Sequence, residues 1–360
     1  MNIVSKISAT ITRQIGVGQG QNSVVFLAHD PQLNAEIVIK VMPKSRFQYP
    51  SEYFKEAQVV YENRHSRIAS IMYAAEDANE IRIAMPYYHQ GSVQDFIMDA
   101  SLPTSQVVRW GLHFLSGLHH VHSKGFLHYD VKPNNLLVHN DSVVLSDFGQ
   151  SRPTNHLGIA PVPGMYTWHL PPEVFGNTGG LPKQSDIYQA GLTLYRMCNG
   201  EKFYEEQKPD IDWTLPEQLV IQQLESYIAN GLFPNREMFR PHVPQKLRKV
   251  IKKALSTSYK ERYVTAIQMA NDLGQVTKLL SWRYDGYNGN DVWIEEVLGR
   301  RNKITIVQKT DGWYVEGETT NLSTGITRQK HAWTSGKLNT KKKADAFVSK
   351  IFRDLEANKK

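Results

Sequence analysis

Cysteine is nearly absent from the sequence, and this scarcity restricts both covalent structure and chemistry. Cys198 is the only cysteine in the 360 residues, so no disulfide can form within the chain. It lies in the apolar run 192–198, a setting that predicts a buried thiol rather than a catalytic one. A chain without disulfides is typical of a reducing compartment, and we therefore expect a cytoplasmic location.

Long apolar stretches are missing as well. No segment approaches the roughly 20 consecutive apolar residues that a helix needs to cross a bilayer. The first residues also lack the apolar core of a signal peptide, so we expect no membrane among the partners. The chain is 41% hydrophobic and 21% charged, which is typical of a globular protein. Its length leaves room for one two-lobed domain and a smaller one.

The basic residues are concentrated at one end of the chain. The formal net charge is +7. Residues 300–360 alone carry 14 Lys and Arg against 6 Asp and Glu, a net charge of +8, so the rest of the chain is almost neutral. This basic end needs an explanation separate from that of the preceding chain.

Two aspartates stand at the ends of a short apolar hairpin near the middle of the chain. Residues 136–138 and 143–145 are the predicted arms of this hairpin. Asp130 precedes it and Asp147 follows it, while Lys132 and Asn135 lie between them in sequence. Because so short a hairpin brings its ends together, we expect two carboxylates, an ammonium and an amide in one small volume. Such a set can hold Mg²⁺ on a phosphate while a hydroxyl is oriented for attack.

This stretch resembles the catalytic core of a protein kinase. Residues 128–135, His-Tyr-Asp-Val-Lys-Pro-Asn-Asn, resemble the catalytic loop, and residues 147–149, Asp-Phe-Gly, resemble the metal-binding loop. The resemblance implies that Asp130 orients the acceptor hydroxyl and that Lys132 neutralises charge on the transferred group. It also implies that Asn135 and Asp147 hold Mg²⁺, with ATP as the phosphoryl donor.

A glycine-containing turn near the N-terminus resembles the kinase loop that covers the phosphates of ATP. Residues 17–28 contain two glycines two positions apart and continue as an alternating β-branched strand. The backbone of such a turn can approach phosphate oxygens closely. Ser23 stands where the third glycine usually does. The resemblance implies ATP contacts in this region at Val17, Gly18, Gly20, Ser23 and Val25.

A lysine ends the apolar strand 37–40, where its charge would be buried without a partner. Lys40 therefore resembles the kinase lysine that holds the α- and β-phosphates. Its acidic partner should come from the predicted helix 52–62, for which Ser51 would be the cap. Glu56 lies beside the apolar stripe of this helix and can reach Lys40, whereas Glu52 and Glu62 are expected to face water.

The strand 81–85 and the turn that follows it resemble the hinge between the two lobes of a kinase. This resemblance places Met85 at the gatekeeper position and the backbone from Pro86 to Tyr88 against the adenine. Pro86 has no N–H group, but the family offers a carbonyl at that position, so proline is compatible with the hinge.

Residues 150–172 are an irregular stretch with several prolines and glycines, and they end in a Pro-Pro-Glu similar to the Ala-Pro-Glu of kinases. The resemblance implies that Glu173 pairs with Arg262. It also implies that Asp186, at the start of a long apolar helix, accepts hydrogen bonds from the catalytic-loop backbone.

The acceptor side of the site departs from the family pattern. In strict register the family's Gly-Thr-Pro falls on residues 165–167, whereas here Gly164 and Thr167 are each displaced by one. The sequence therefore does not predict which residues form the floor of the peptide-substrate site. Tyr129 stands where regulated kinases carry an arginine that pairs with a phosphorylated activation segment, a contact that tyrosine cannot make.

The end of the chain is predicted as a separate small domain. Residues 282–290 are rich in Gly, Asn and Tyr and are predicted to be a linker. Alternating runs and turns then predict a three- or four-stranded sheet, followed by an amphipathic helix from about 342 to 355. The lysines of residues 291–360 and the aromatic side chains of Trp313, Tyr314 and Trp333 suit nucleic acid or another acidic partner. Alternatively, these aromatic residues form the core of the small sheet.

The sequence therefore predicts an α+β chain with a two-lobed protein-kinase fold and a small C-terminal α+β domain. The kinase domain covers 1–281, with its N-lobe at about 8–85 and its C-lobe at about 91–280. The predicted activity is transfer of the γ-phosphoryl group of ATP to Ser or Thr hydroxyls of proteins, including autophosphorylation. Lys132, two positions after Asp130, is typical of the Ser/Thr kinases.

Two alternatives share this fold. A pseudokinase would be a binding or scaffolding protein, but such proteins generally lack an equivalent of Lys40, Asp130 or Asp147, and all three are present here. A small-molecule kinase, such as one acting on antibiotics, is the reading that the displaced Gly164 and Thr167 would favour.

Overall fold

The alternating apolar residues at the start of the chain form an antiparallel sheet. The computed structural model describes residues 8–16, 23–176, 179–286 and 290–358. The elements of this first lobe are β1 (Thr10–Ile15), β2 (Val24–Asp30), β3 (Ala35–Pro43), α1 (Lys55–Glu62), β4 (Tyr73–Glu76) and β5 (Glu80–Pro86). In the described ranges the five strands pair in the order β1-β2-β3-β5-β4.

Helix α1 packs on this sheet through a small apolar cluster. Met42 of β3, Ala57 of α1, and Ile81 and Ile83 of β5 are all buried in it. The helix begins later than the sequence predicts: residues Pro50–Glu52 form a separate 3-10 turn, so Ser51 does not cap α1. Phe54 is the N-cap residue instead. The packing of Ala57 sets the position of the preceding residue, Glu56, relative to β3.

The second lobe is mainly helical. Its helices are α2 (Val93–Ile97), α3 (Thr104–Ser123), α4 (Gln184–Asn199), α5 (Glu201–Glu205), α6 (Glu217–Ile228), α7 (Gln245–Ala254) and α8 (Ala266–Leu273). Its short strands are β6 (Phe126–Leu127), β7 (Leu136–His139), β8 (Ser142–Leu145), β9 (Arg152–Pro153), β10 (Ile159–Ala160) and β11 (Leu181–Pro182). Strands β7 and β8 pair with each other and form the predicted apolar hairpin.

Helix α4 lies at the centre of this lobe and is buried along nearly all of its length. A helix that is buried all round normally carries few polar residues. Here Asp186, Gln189, Thr193 and Arg196 are nevertheless buried, and such groups are costly to bury unless they are hydrogen-bonded. Cys198 is buried in the same helix, as predicted, and burial raises the pKa of its thiol.

The end of the chain folds into a sheet covered by one helix. Its elements are β12 (Trp282–Asp285), β13 (Asp291–Val297), β14 (Arg300–Lys309), β15 (Gly312–Asn321), β16 (Thr327–Gln329) and α9 (Lys341–Glu356). The strands pair in chain order. Helix α9 packs on one face through Ala344, Val348, Ile351 and Phe352, against apolar residues of the strands.

Two predictions for this C-terminal domain are wrong. The sheet has five strands within the described residues, not three or four, and the first four residues of the predicted linker are strand β12. The reason is Trp282, which is 2% exposed and contacts the ring of Phe352 at 5.0 Å between centroids. Burial of one indole outweighs the linker-like composition around it. Trp313 and Trp333 also pack against this core.

The C-terminal domain is docked on the second lobe along β12. The backbone N–H of Ser101 donates to the carbonyl of Tyr284, and the backbone N–H of Tyr284 donates to Ser101 Oγ at 2.8 Å. The guanidinium carbon of Arg240 lies 3.2 Å from the centroid of the Tyr284 ring. At the other end of the domain, Glu356 of α9 accepts a hydrogen bond from the first N–H of α7. No helix in the described parts of the chain has the length and apolarity of a membrane span.

Candidate active site

Lys40 is the centre of a charge cluster beside β3. It does not end the strand as predicted, because β3 continues through Val41 and Met42 to Pro43. Its Nζ donates to Glu56 Oε1 at 2.7 Å and to Asp147 Oδ1 at 3.0 Å. The helix position of Glu56 predicted the first contact. Burial disfavours the ammonium, but the charges of Asp147 and Glu56 outweigh this cost and raise the pKa of Lys40. Lys40 is therefore held as a fixed cation between two carboxylates that come from different lobes.

Asp147 follows the β7–β8 hairpin and is held in an uncommon backbone conformation. Its φ of 59° lies in the left-handed region, which for a non-glycine residue is strained and recurs at functional sites. The charge of Lys40 holds the pKa of this carboxyl well below its usual range. A Cβ on the next-but-one residue, Gly149, would lie 3.3 Å from Asp147 Oδ1 and 3.6 Å from Glu56 Oε2. A side chain there would crowd the charge cluster.

A second cluster lies in the loop that precedes the hairpin. Asp130 Oδ2 accepts from Asn135 Nδ2 at 2.7 Å and lies 2.9 Å from Lys132 Nζ. Asn135 Nδ2 also lies 2.8 Å from the backbone carbonyl of Asp130. The other carboxylate oxygen, Asp130 Oδ1, is buried and has no hydrogen-bond partner among the described residues. A buried carboxylate oxygen without a partner is costly, so this atom is suited to receive a proton or a ligand group.

Helix α4 fixes the backbone of this loop. Asp186 accepts from the N–H groups of His128 at 2.9 Å and Tyr129 at 2.7 Å, which are the contacts that the kinase resemblance implies. Gln189, one turn later, accepts from the N–H of Val131 at 3.0 Å and donates to the carbonyl of Tyr129. Burial alone would raise the pKa of Asp186, but its hydrogen bonds outweigh this effect and lower it.

Gln189 is a site residue that the sequence motifs do not predict. The available signal was its spacing: a polar residue three positions after Asp186 within an apolar helix lies on the same face of that helix. His122 was missed for another reason, since it belongs to α3 and reaches Asp186 Oδ2 at 2.7 Å across the lobe. No sequence spacing connects these two residues.

The predicted adenine and phosphate contacts are only partly described. Val17, Gly18 and Gly20 lie outside the described residues. Ser23 immediately precedes β2. Val25 pairs directly with Lys40 in the β2–β3 register, so Val25 lies beside the charge cluster. Val25 is partly buried there.

The hinge residues lie at the end of β5, the strand that pairs with β3, and just after it. Met85 ends the buried part of β5 and lines a small cavity together with Glu56, Asp147 and Phe148. Tyr88 follows β5, its ring contacts that of His139 edge-on, and burial raises the pKa of its phenol. The structure thus places Met85 next to the charge cluster, whereas Tyr88 lies at the junction of the two lobes.

Two buried contacts fix the position of the segment that follows the β7–β8 hairpin. Arg262 makes a two-pronged contact with Glu173, with distances of 2.8 Å and 2.7 Å to the two carboxylate oxygens, as the resemblance implies. The phenol of Tyr129 is shared between the carbonyl oxygens of Ala160 and Leu181. Both contacts join this segment to the helical lobe.

Comparison with known proteins identifies the family of the chain. The family model described as the protein kinase domain matches residues 11–273. The chain belongs to the protein kinase family. Fold and family, as predicted from the two motifs, are therefore confirmed.

The relatives are serine/threonine kinases of bacteria and yeasts. The chain is 26% identical over 268 residues to serine/threonine-protein kinase PrkC of Bacillus subtilis, covering 71% of this chain and 39% of that protein. It is 24% identical over 270 residues to a probable serine/threonine-protein kinase of Clostridium acetobutylicum, covering 72% and 39%. It is 30% identical over 198 residues to serine/threonine-protein kinase STE20 of Candida glabrata, covering 54% and 21%. The chain thus spans less than half the length of each of these relatives.

Proposed function

We propose that this protein transfers the γ-phosphoryl group of ATP to Ser or Thr hydroxyls of proteins, itself included. The observation that carries the proposal is that one hairpin, β7–β8, is flanked by Asp130 of one charge cluster and by Asp147 of the other. Lys40, held by Glu56, is available for the nucleotide phosphates, and Asp130 is available for the acceptor hydroxyl. Asp147 links the two clusters, because it contacts Lys40 and directly follows the hairpin that begins at the catalytic loop.

Mg²⁺ is part of this proposal, and the residues present fit it. Mg²⁺ prefers oxygen donors and binds through one or two side chains together with substrate phosphates. Asp147 offers a carboxylate whose side chain is 43% exposed, and its low pKa keeps it ionised. Asn135 directs its amide nitrogen to Asp130, which reserves its side-chain oxygen for a cation. When bound, the ion would neutralise phosphate charge during transfer.

Each remaining side chain has a separate task in the proposal. Asp130 accepts or orients the hydroxyl proton through its unpartnered oxygen, a contribution on the order of 10²–10⁴-fold. Lys132, 2.9 Å from Asp130, neutralises negative charge that develops on the transferred group. Lys40 positions the nucleotide as a cation that cannot readily lose its proton, since both of its carboxylate neighbours favour the charged form.

The protein substrate distinguishes this proposal from its alternatives. A pseudokinase would not need Asp130 with a free buried oxygen and Asp147 paired to Lys40 at the same time. The Glu173–Arg262 pair anchors the segment that, in this proposal, receives a peptide, and a small-molecule kinase would not need such an anchor. The relatives are serine/threonine-protein kinases by name, which supports Ser and Thr as the acceptors.

For the C-terminal domain, the lysines still support the predicted acidic or nucleic-acid partner, whereas the aromatic residues mostly do not. Trp313 and Trp333 pack on its core, which removes two of the three aromatic residues suggested for base stacking. Lys341 is paired with Asp291 at 2.7 Å, whereas Lys342 and Lys343 are exposed. We propose that these lysines attract an acidic partner. Binding of the full chain to DNA and RNA across a salt series, with Lys342 and Lys343 changed to Gln, tests this.

A cytoplasmic location also stays a proposal, based on the single buried cysteine.

Expression of wild type and Asp130→Asn in a bacterial host, followed by a map of phosphorylated host residues, tests the proposed activity. New phosphoserine and phosphothreonine only with wild type would support it. ATP consumption by purified protein with and without Mg²⁺ is the second measurement. No consumption under either condition would leave the pseudokinase reading as the better one.

A further inference from the structure

Tyr166 lies under the ammonium group of Lys132. Lys132 Nζ is 5.1 Å from the centroid of the Tyr166 ring, within the range of a cation–π contact. The same Nζ lies 2.9 Å from Asp130 Oδ2, and the lysine side chain is only 15% exposed. Lys132 is thus held between a carboxylate on one side and an aromatic face on the other.

The ring rests on a rigid base. The N–H of His169 donates to the carbonyl of Tyr166 at 2.9 Å, and the two rings are 5.7 Å apart. His169 is fully buried and its Nε2 lies 2.6 Å from a guanidinium nitrogen of Arg196. Arg196 is itself fixed in α4 by two hydrogen bonds to Glu201, at 2.9 Å and 2.7 Å. A series of contacts through the buried Arg196 and His169 therefore connects α4 to the ring of Tyr166.

We propose that Tyr166 is a positioning residue: its ring holds the Lys132 ammonium beside Asp130, on the acceptor side of the cleft. The inference rests on the proposed phosphoryl transfer and adds a residue to it. It also gives a role to Tyr166, which lies in residues 165–167, where the family's Gly-Thr-Pro would fall in strict register. The contact uses the face of the ring, so it needs an aromatic side chain rather than a hydroxyl.

The physical reason is the freedom of a lysine side chain. An ammonium on four methylene groups has several rotamers of similar energy, and Asp130 alone does not restrict it from the solvent side. The negative face of an aromatic ring attracts the cation from that side. A lysine held in this way is already in place when negative charge develops on the transferred group. Loss of the ring should therefore lower kcat more than it changes the KM for ATP.

Three variants distinguish the effect of the aromatic face of Tyr166 from the effects of side-chain size and of the hydroxyl group. Tyr166→Phe keeps the aromatic face, and we expect its kcat to stay within about twofold of wild type. Tyr166→Leu keeps an apolar side chain without the face, and kcat should fall roughly two- to fivefold, as expected for a partly exposed cation–π contact. Tyr259→Leu is the matched control, since Tyr259 is 36% exposed and lies outside the proposed site. It should leave kcat unchanged.

A measurement that needs no catalysis tests the contact between Lys132 and Tyr166 independently of the proposed activity. In protein labelled at the lysine ε-carbon, the Lys132 signal, assigned by its loss in Lys132→Arg, should be shifted upfield by the ring current of Tyr166. The shift should persist in Tyr166→Phe and disappear in Tyr166→Leu. Equal kcat for the Leu and Phe variants, higher kcat for Leu, or no ring-current shift in wild type would each overturn the inference. An inactive wild type with the shift present would contradict the proposed function and leave the contact standing.

Discussion

The phenol of Tyr129 lies 2.8 Å from the carbonyl oxygen of Ala160, to which it donates a hydrogen bond. The same hydroxyl is 3.1 Å from the carbonyl of Leu181. Ala160 and Leu181 are partners in the β10–β11 pair, so one buried side chain of the catalytic loop holds both ends of the segment between them. This anchor contains no charge. It therefore needs no phosphate group to form.

The first prediction concerns regulation. Because the Tyr129 anchor is neutral, the enzyme should retain most of its activity after complete dephosphorylation of the segment 150–172. Treatment with a phosphatase, verified by mass spectrometry, and comparison of transfer rates before and after treatment measure this. Tyr129→Phe removes the hydrogen bond and leaves two carbonyls without it, so it should cost about 1–3 kcal/mol of stability and lower activity. A dephosphorylated wild type that is inactive until rephosphorylated would contradict the prediction.

The second prediction concerns the buried pair of Glu173 and Arg262. Arg262 is completely buried at its side chain, so Glu173→Gln would leave an uncompensated cation in the interior. We expect a loss of about 3–5 kcal/mol in the free energy of unfolding, measured by urea denaturation.

Glu237→Gln is the matched control, because Glu237 also pairs with a basic residue but its side chain is 78% exposed. Its loss should not exceed about 1 kcal/mol. Similar losses in the two variants would show that burial of the Glu173 pair does not matter.

The third prediction concerns the docking of the C-terminal domain. Tyr284 contacts Arg240 of the second lobe and donates to Asp291 Oδ1 at 2.8 Å. Tyr284→Ala should lower the Tm by an amount on the order of 5 °C, because it removes a half-buried ring from the interface. Tyr314→Ala is the comparison, since Tyr314 lies on the same sheet with its partners Lys309 and Asp311 at the surface. A Tm drop as large for Tyr314→Ala would contradict a stabilising interface.

The fourth prediction is a pH dependence at the same interface. His242 is fully buried beside Ser101 and Phe352, and burial, with the nearby charges of Arg240 and Arg248, lowers its pKa to about 3. The folded-state pKa is below the ordinary value near 6.5, so the fold binds the neutral form. Its contribution to stability is complete above about pH 6.5 and is lost as the pH falls toward the folded pKa.

Urea denaturation at about pH 7.5 and about pH 5.5 measures this contribution. Between these values wild type should lose about 1.4 kcal/mol more stability than His242→Gln, which cannot titrate. An equal loss in both proteins would mean that His242 is not held neutral by the fold.

Sequence was sufficient where the relevant residues are close together in the chain. Asp130, Lys132 and Asn135 occupy one loop, and their spacing alone predicted that they meet. Lys40 and Glu56 could be paired because the apolar stripe of α1 shows which way the helix faces. These are local patterns, and local geometry converts them directly into positions.

Sequence was insufficient where a contact joins distant segments or where composition hides one buried residue. The phenol of Tyr129 reaches carbonyls 31 and 52 residues further along the chain, and no spacing announces such a contact. Lys132 meets Tyr166 in a segment where Tyr166 packs against His169, which in turn contacts Arg196 of α4. Trp282 was assigned to a linker because the Gly- and Asn-rich residues after it are more conspicuous than one indole.

The central claim is that one hairpin brings nucleotide, metal and acceptor groups together for phosphoryl transfer. The most direct measurement is the transfer of label from γ-labelled ATP to Ser and Thr residues by purified wild type, Asp130→Ala and Asp147→Ala. Asp141→Ala is the control, since Asp141 lies on the exposed turn of the same hairpin and pairs with Arg109. We predict Mg²⁺-dependent transfer by wild type and the control, none from α-labelled ATP, and a loss of at least about 10²-fold in the other two variants. Transfer that survives in Asp147→Ala, or no transfer by wild type, would contradict the claim.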